Sequence, residues 1–563
     1  MKHIGHLSNL PSNLAWTGAL LAALGLLAPR STEAIGTWTA LAHTAPAGIG
    51  VMLLLSDGTV MAQDNGGNAW YRLIPDGNGS YVNGTWTNNI AAMHDTRTFY
   101  SSEVLKNGQV FVAGGEYGTG GAKAEVYDPA ANGWTLTPTA GVGFSDSESE
   151  LLPGGNVLVA PVSWVPFPQW VTFIFNPGAN AWTEGPTNLE YQDEATWVKL
   201  PDDSIVTLDP FGYLSSERYI PALNQWIADA VPPAQIFSLP NNEIGPGFML
   251  ADGEAFFIGG TGRTLFYTPS GSTSPGNWTL GPVIPNGRVA QDAPGAMMNN
   301  GKIFFEASSA SSHTPVYFYE YDPVANSFSA TGSPGNGSVG SSLNTGSDNS
   351  YMLDLPDGTV LYSYTSSQLY VYKPDGSPLA AGQPTIYSVA WNTDGSLHLT
   401  GTLFDGISKG ADYGDDAQMG SNYPLVRFTD GSGDVYYGRT YNWSSTSVQT
   451  GGEILTTEVT VPAAVFDFPG IFSLQVVANG NASAPVTFYS PVWVDFNYTG
   501  AFQFGWFPFP YDNLPAGVSA VSSGGTIAVE ANVQPSVGHE TVPYTISTPM
   551  TIISVFGPST IGN

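Results

Sequence analysis

Acidic side chains recur in this sequence at matching places. Counting back roughly seven or eight residues from successive turns rich in Gly, Asn and Asp reaches Asp146, then Asp193 with Glu194, then Glu243, Asp292 and Asp348. Carboxylates that converge can coordinate Ca²⁺, grip sugar hydroxyls, or divide into the acid and base of a glycosidic cleavage. The chain holds 46 Asp and Glu against 15 Lys and Arg, net −31, so a merely solvated acidic rim also accounts for this spacing. That charge repels phosphate backbones and anionic headgroups, which argues against nucleic-acid and membrane-surface partners.

Other chemistries find few residues. Cysteine is absent, which removes disulfides, thiolate nucleophiles and Cys-containing zinc sites. After residue 34 the histidines are scattered: His43, His94, His313, His398 and His539 show no pair at metal spacing. His94 and Asp95 are sequence neighbours, but adjacent residues on a strand point to opposite faces, so packing or surface roles suit them better. No P-loop occurs, and the strings GISKG (406–410), GNGSVG (335–340) and GGEYGTGG (114–121) all lack the following helix that a nucleophile elbow, a dinucleotide site or a phosphate cradle needs.

The elements that must carry the acids repeat. Seven hairpins read LLLSDGTVMA (53–62), VLKNGQVFVAGG (104–115), LLPGGNVLVA (151–160), KLPDDSIVTL (199–208), MLADGEAFFIGG (249–260), MMNNGKIFFEA (297–307) and LDLPDGTVLYS (353–363). An aromatic follows the first six in phase at Trp86, Trp134, Trp182, Trp226, Trp278 and Phe328, and Trp38 stands one period ahead of Trp86. A period of about 50 residues with four strands per unit predicts a seven-bladed Kelch-type β-propeller over 35–382. Trp38 precedes the first hairpin, and the last unit lacks its own aromatic strand. The N-terminal strand is therefore expected to complete the last blade and remove an open edge.

Beyond the repeats, seven short alternating segments from TIYSVAWN to APVTFYSPVWV predict an immunoglobulin-like β-sandwich over 383–490. Residues 491–563, with GGTIAVEA and YTISTPMTIISVFGPSTIG, suggest a β-helix-like segment that must dock on the sandwich or on another copy. At the other end, Lys2, the apolar run WTGALLAALGLLA (16–28) and the small residues up to Ala34 read as a secretory signal over 1–34. The run is too short to span a bilayer, so the expectation is an extracellular or cell-surface protein with no membrane insertion after cleavage.

The LPDG-type hairpins, together with GADYGDDAQMGSNYPLVRF (410–428), resemble the galactose oxidase family over about residues 35–490. Members of that family oxidise primary alcohols or aldehydes with one copper ion held by two tyrosines and two histidines, one tyrosine being crosslinked to a cysteine. Against that pattern this chain departs at each position that aligns. It has no cysteine, Asp348 and Asn349 stand where the Tyr-His pair would be, and Asn442 stands near the remaining histidine. Carboxylate and amide groups are poor donors for Cu(II). The resemblance also puts Arg97 (in TRTFYSS) where those oxidases carry a substrate-contacting arginine, making it the expected basic contact at the opening.

These residues lead to an all-β, secreted, non-catalytic protein that recognises a glycan or protein through one propeller mouth, with Arg97, Asp146, Asp193, Glu194, Glu243, Asp292 and Asp348 as ligand-binding side chains. Calcium is the one cofactor the acids could take, and copper is not expected. Two alternatives stand beside this reading. One is a polysaccharide hydrolase or lyase using the mouth carboxylates, and the other is a structural subunit that self-associates through its C-terminal segment.

Overall fold

The computed structural model describes residues 35–162, 170–211, 214–239, 242–413, 417–539 and 543–562. The expected signal segment, 1–34, lies outside the described residues. All of the described strands belong to one unit, Gly36 to Asn563.

The hairpin turns work as their residues require. Gly58, Gly108, Gly155, Gly253, Gly301 and Gly358 all adopt positive φ between the first and second strands of their sheets, a region glycine enters without steric cost. Five of these turns, together with Asp203 at φ 63° in the same place of a further sheet, join strands of six separate four-stranded sheets in a propeller-like arrangement, and Gly301 joins strands of a larger sheet. Five follow chain order: Ile49–Leu54 to Thr85–Thr87, Ser101–Val104 to Gly133–Leu136, Ser149–Leu151 to Ala181–Thr187, Val198–Lys199 to Gln225–Ala228, and Ile244–Met249 to Asn277–Leu280. The sixth joins Tyr351–Asp354, Val360–Ser363 and Tyr370–Lys373 to the N-terminal strand Thr37–Ala40. In that seam Thr37 pairs with Lys373 and Ala40 with Tyr370.

Four of the in-phase tryptophans tie their sheet to the one before it. Indole Nε1 of Trp134 donates to Ala91 O at 2.8 Å, that of Trp182 to Thr137 Oγ1 at 3.2 Å, that of Trp278 to Ser216 Oγ at 3.1 Å, and that of Trp38 to Gly332 O at 2.8 Å. Each indole thus combines a large apolar surface with one donor that finds an acceptor.

Four further antiparallel strands, Pro294–Met297, Ile303–Ser309, Ser312–Asp322 and Ser327–Ala330, do not form a separate sheet. They continue into the hairpin Gly410–Tyr413 and Ala417–Gly420, making an eight-stranded sheet with two short flanking strands. The join runs through Pro294 opposite Tyr413 and Ala296 opposite Ala411. The strand Ala417–Gly420 thus enters among the first strands of the sheets, where Gln418 Nε2 donates to Glu148 Oε2 at 2.8 Å and Ser149 Oγ donates to Gln418 Oε1 at 2.8 Å.

Apart from that hairpin, the strands from Thr385–Trp391 to Val486–Tyr489 form one continuous eight-stranded antiparallel sheet, curled into a half-barrel around Leu399, Val426, Phe428, Val459, Leu474 and Val476. This half-barrel covers the hairpin-turn end of the propeller-like sheets. Trp443 N donates to Lys106 O at 3.2 Å, Thr446 Oγ1 to Leu152 O at 3.0 Å, and Gln449 Nε2 to Ala251 O at 2.8 Å. Beyond it, Val492–Val494, Thr526–Glu530 and Thr551–Val555 pair in parallel, as do Ser536–Gly538 and Ser559–Ile561. Among the described residues no helix is long and apolar enough to cross a membrane.

Candidate ligand site at the acidic mouth

The first strands of the sheets run toward the half-barrel, so the residues just before them gather at the opposite end. Five of the acids marked in the sequence meet there. One ligand oxygen from each of Asp146, Asp193 and Glu194 lies within 4.8 Å of the others, and the same holds for Glu194, Glu243 and Asp292. Glu194 is common to both groups. Glu243 is buried, with 9% of its surface exposed, and the other four are half-buried.

Local backbone geometry turns these residues inward. Asp146, Glu194 and Asp292 all have positive φ, at 38°, 61° and 42°, where L-residues are uncommon and a glutamate is rarer than an aspartate. Neighbouring contacts hold the loops. Gln192 Nε2 donates to Glu217 Oε1 at 2.6 Å and Gln192 Oε1 accepts from Trp197 Nε1 at 3.0 Å, which fixes the approach to Asp193 and Glu194. Asp292 N donates to Ile244 O at 3.1 Å, tying that acid to the strand that begins beside Glu243.

A sixth carboxylate, Glu116, was not marked in the sequence. Gly114, at φ +81°, passes so close to Phe144 O that a Cβ would sit 1.6 Å away, and Gly115 N donates to the same oxygen at 3.0 Å. Only glycine permits that approach, and it delivers the next residue, Glu116, to the field of Asp146 and Asp193. An acid directly after a double glycine is the signal that could have revealed it.

Charge crowding follows from the absence of counter-charges. Among the described residues, Asp146, Asp193, Glu194 and Glu243 pair with no lysine or arginine. Burial first, then the charges of Glu116 and Glu243, push Asp193 up to about 6. Burial and the neighbouring carboxylates push Asp146 and Glu194 well above the carboxylate range, so protons are shared across the group.

Two expected contacts lie elsewhere. Arg97 is fully buried: Nη2 donates to Glu125 Oε1 at 3.0 Å, and Nη1 to Lys123 O at 2.9 Å and to Gly114 O. Its short strand, Arg97–Thr98, pairs with Tyr117–Gly118 and turns the guanidinium to Glu125 of the neighbouring four-stranded sheet, beside His94, whose Nδ1 lies 2.6 Å from Glu125 Oε2. Asp348 lies near the same end, in the turn Ser347–Asn349, but belongs to neither carboxylate group; its Oδ2 accepts from Asn349 Nδ2 at 2.9 Å. Ser347 links that turn to Gln291 O at 2.6 Å, one residue before Asp292, and His313 Nδ1 approaches Asp292 Oδ2 at 3.9 Å.

The three positions aligned with copper donors do not converge. Asp348 and Asn349 precede the first strand of their sheet, whereas Asn442 is exposed and adjoins Trp443 at the hairpin-turn end beside Lys106.

No protein-family model matches the chain, and no curated protein matches it. Among solved structures, a fungal alcohol oxidase of the AA5 family, determined in complex with copper, is 15% identical, with 81% of this chain and 99% of that chain covered at a TM-score of 0.50. At that identity the similarity extends to the all-β, propeller-like fold.

Proposed function

We propose that the chain is an exported, non-catalytic binding protein that takes an extracellular glycan or protein at the acidic mouth. The observation that carries this reading is the convergence of Asp146, Asp193, Glu194, Glu243 and Asp292 at the end of the sheets not covered by the half-barrel. In this reading the strands from Pro294–Met297 to Ser327–Ala330 count as a seventh blade, the half-barrel is a variant of the immunoglobulin-like sandwich, and the parallel C-terminal strands are a short β-helix. The first 34 residues act as the export signal.

Copper does not fit these residues. The crowded donors are all carboxylate oxygens, no imidazole belongs to either group, and cysteine is absent. Such a set suits hard cations and hydroxyl-rich ligands. The test is binding of the purified protein to glycan and protein arrays before and after Asp193→Ala and Asp292→Ala. Loss of the parent's hits supports the mouth, and unchanged hits remove it.

One observation favours a second reading. Glu194 and Asp193 are neighbouring carboxyls, which burial and the surrounding carboxylates raise unequally, and such a pair is the arrangement a hydrolase or lyase uses for acid and base. Product release from a polysaccharide panel that disappears in Glu194→Gln would establish it. No release from the parent would dismiss it.

A further inference from the structure

We infer that the mouth holds a divalent cation of calcium's size, bound through Glu194 with Asp146, Asp193, Glu243 and Asp292, and that this ion presents open coordination positions to the ligand. The inference rests on the mouth being the binding site proposed above, and it names what that site uses to recognise hydroxyl or carbonyl oxygens.

Three observations support it. First, Ca²⁺ takes oxygen ligands at about 2.3–2.6 Å, so oxygens across one ion stand about 5 Å apart. The two carboxylate groups, each spanning no more than 4.8 Å and sharing Glu194, have that dimension. Second, Glu243 is nine-tenths buried and its Oε2 receives no N–H or hydroxyl donor, its only side-chain hydrogen-bonding neighbour among the described residues being the carboxyl of Glu194, a member of both groups. A carboxylate oxygen taken out of water without a donor is costly, and an ion among its neighbours supplies the missing partner. Third, no lysine or arginine neutralises Asp146, Asp193, Glu194 or Glu243 among the described residues, so protons or a metal must do so. Calcium is favoured over magnesium because the donors are a crowd of carboxylates on loops. Mg²⁺ demands a near-ideal octahedron and keeps several waters.

The experiment is calorimetric titration of chelator-stripped protein with CaCl₂ at pH 7.5, alongside melting temperature with and without calcium. The expected result is saturable binding with a dissociation constant of about 1 mM or tighter, in the range of extracellular calcium modules, and a rise in melting temperature. At pH 5 protons compete, and affinity falls at least about tenfold. Glu194→Gln and Glu243→Gln each weaken binding at least about tenfold, yet raise the melting temperature of the stripped protein, because each replaces an acid penalised by burial and crowding with an amide that cannot ionise. That rise separates a ligand role from simple misfolding.

Absence of heat and of any melting shift at 10 mM calcium, a concentration about ten times the upper constant above, overturns the inference. So does unchanged affinity in both variants. Array binding distinguishes the layers: hits that persist equally in chelator overturn the ion but keep the mouth. Calcium binding that survives while Asp193→Ala leaves all hits unchanged overturns the mouth's role in recognition.

Discussion

Arg97 Nη2 meets Glu125 Oε1 at 3.0 Å with both side chains fully buried. Sequence placement suggested a basic contact for ligand, and the structure instead gives an internal ion pair that braces the second sheet. Breaking such a pair strands an uncompensated charge, which typically costs about 3–5 kcal/mol. Arg97→Ala is expected to lower stability in urea unfolding by about that amount. Arg97→Lys should not restore it, since an ammonium cannot reproduce the guanidinium's separate bonds to Glu125, Lys123 O and Gly114 O. Ligand binding measured below the unfolding transition should be unchanged.

Stability should fall as pH rises. Asp193 is pushed up to about 6, and Glu306 and Asp354 to about 8, in each case chiefly by burial. A carboxyl with a raised folded-state pKa binds more protons folded than unfolded. Its contribution is therefore complete below the unfolded pKa near 4 and is lost as pH climbs through the folded value. Melting temperature without added metal is expected to be higher at pH 5 than at pH 8. A flat or rising profile across that window would contradict the burial of these groups.

Lys409 anchors the inserted hairpin. Its Nζ lies 3.0 Å from Glu103 Oε1 and 3.3 Å from Glu150 Oε2, and Lys199 Nζ lies 3.1 Å from Glu150 Oε1. Burial raises Glu103 to about 7 even with Lys409 beside it. Lys409→Met should destabilise the protein by about 3–5 kcal/mol in chemical denaturation. Adding Glu103→Gln should recover a large part of that loss, because it removes the stranded charge. A double variant no more stable than Lys409→Met would mean the hairpin is held by packing alone.

The C-terminal segment completes the half-barrel's cover. Trp493 is fully buried, its ring 4.7 Å from that of Phe466, its Nε1 donating to Phe466 O at 2.9 Å, and Phe507 packs on the same Phe466 ring at 5.2 Å. Deleting 491–563 would uncover Phe466. The truncated chain is expected to bind a hydrophobic dye and aggregate on heating, where the full chain does neither at the same temperature. Comparing the size of the two in solution also tests self-association, which an unchanged monomer would end.

The sequence disclosed the hairpins and the aromatics in phase because both are local: a turn needs glycine at positive φ, and a tryptophan recurs wherever one sheet meets the last. It also disclosed five of the crowded acids, because they occupy one register position before each first strand. Glu116 escaped that count, as it arrives on a loop from the end of a second strand. Arg97 was misplaced because a resemblance gives a position along the chain but not the face to which the side chain turns. The merging of Gly410–Tyr413 with Pro294–Met297 was equally hidden, since pairing between strands so distant in the chain leaves no periodic trace.

The seam between Thr37–Ala40 and Tyr370–Lys373 has a consequence for biogenesis. The first of these strands leaves the ribosome long before its partner exists, so it waits with its hydrogen-bonding edge bare while every intervening sheet assembles. Contacts of such long sequence separation form late and slowly. Until they form, each nascent chain carries two complementary edges, one at either end of the ring, and two such chains can exchange strands as readily as one chain can close on itself. Dilution during refolding should therefore favour the monomer, and crowding of half-made chains should favour interlocked pairs.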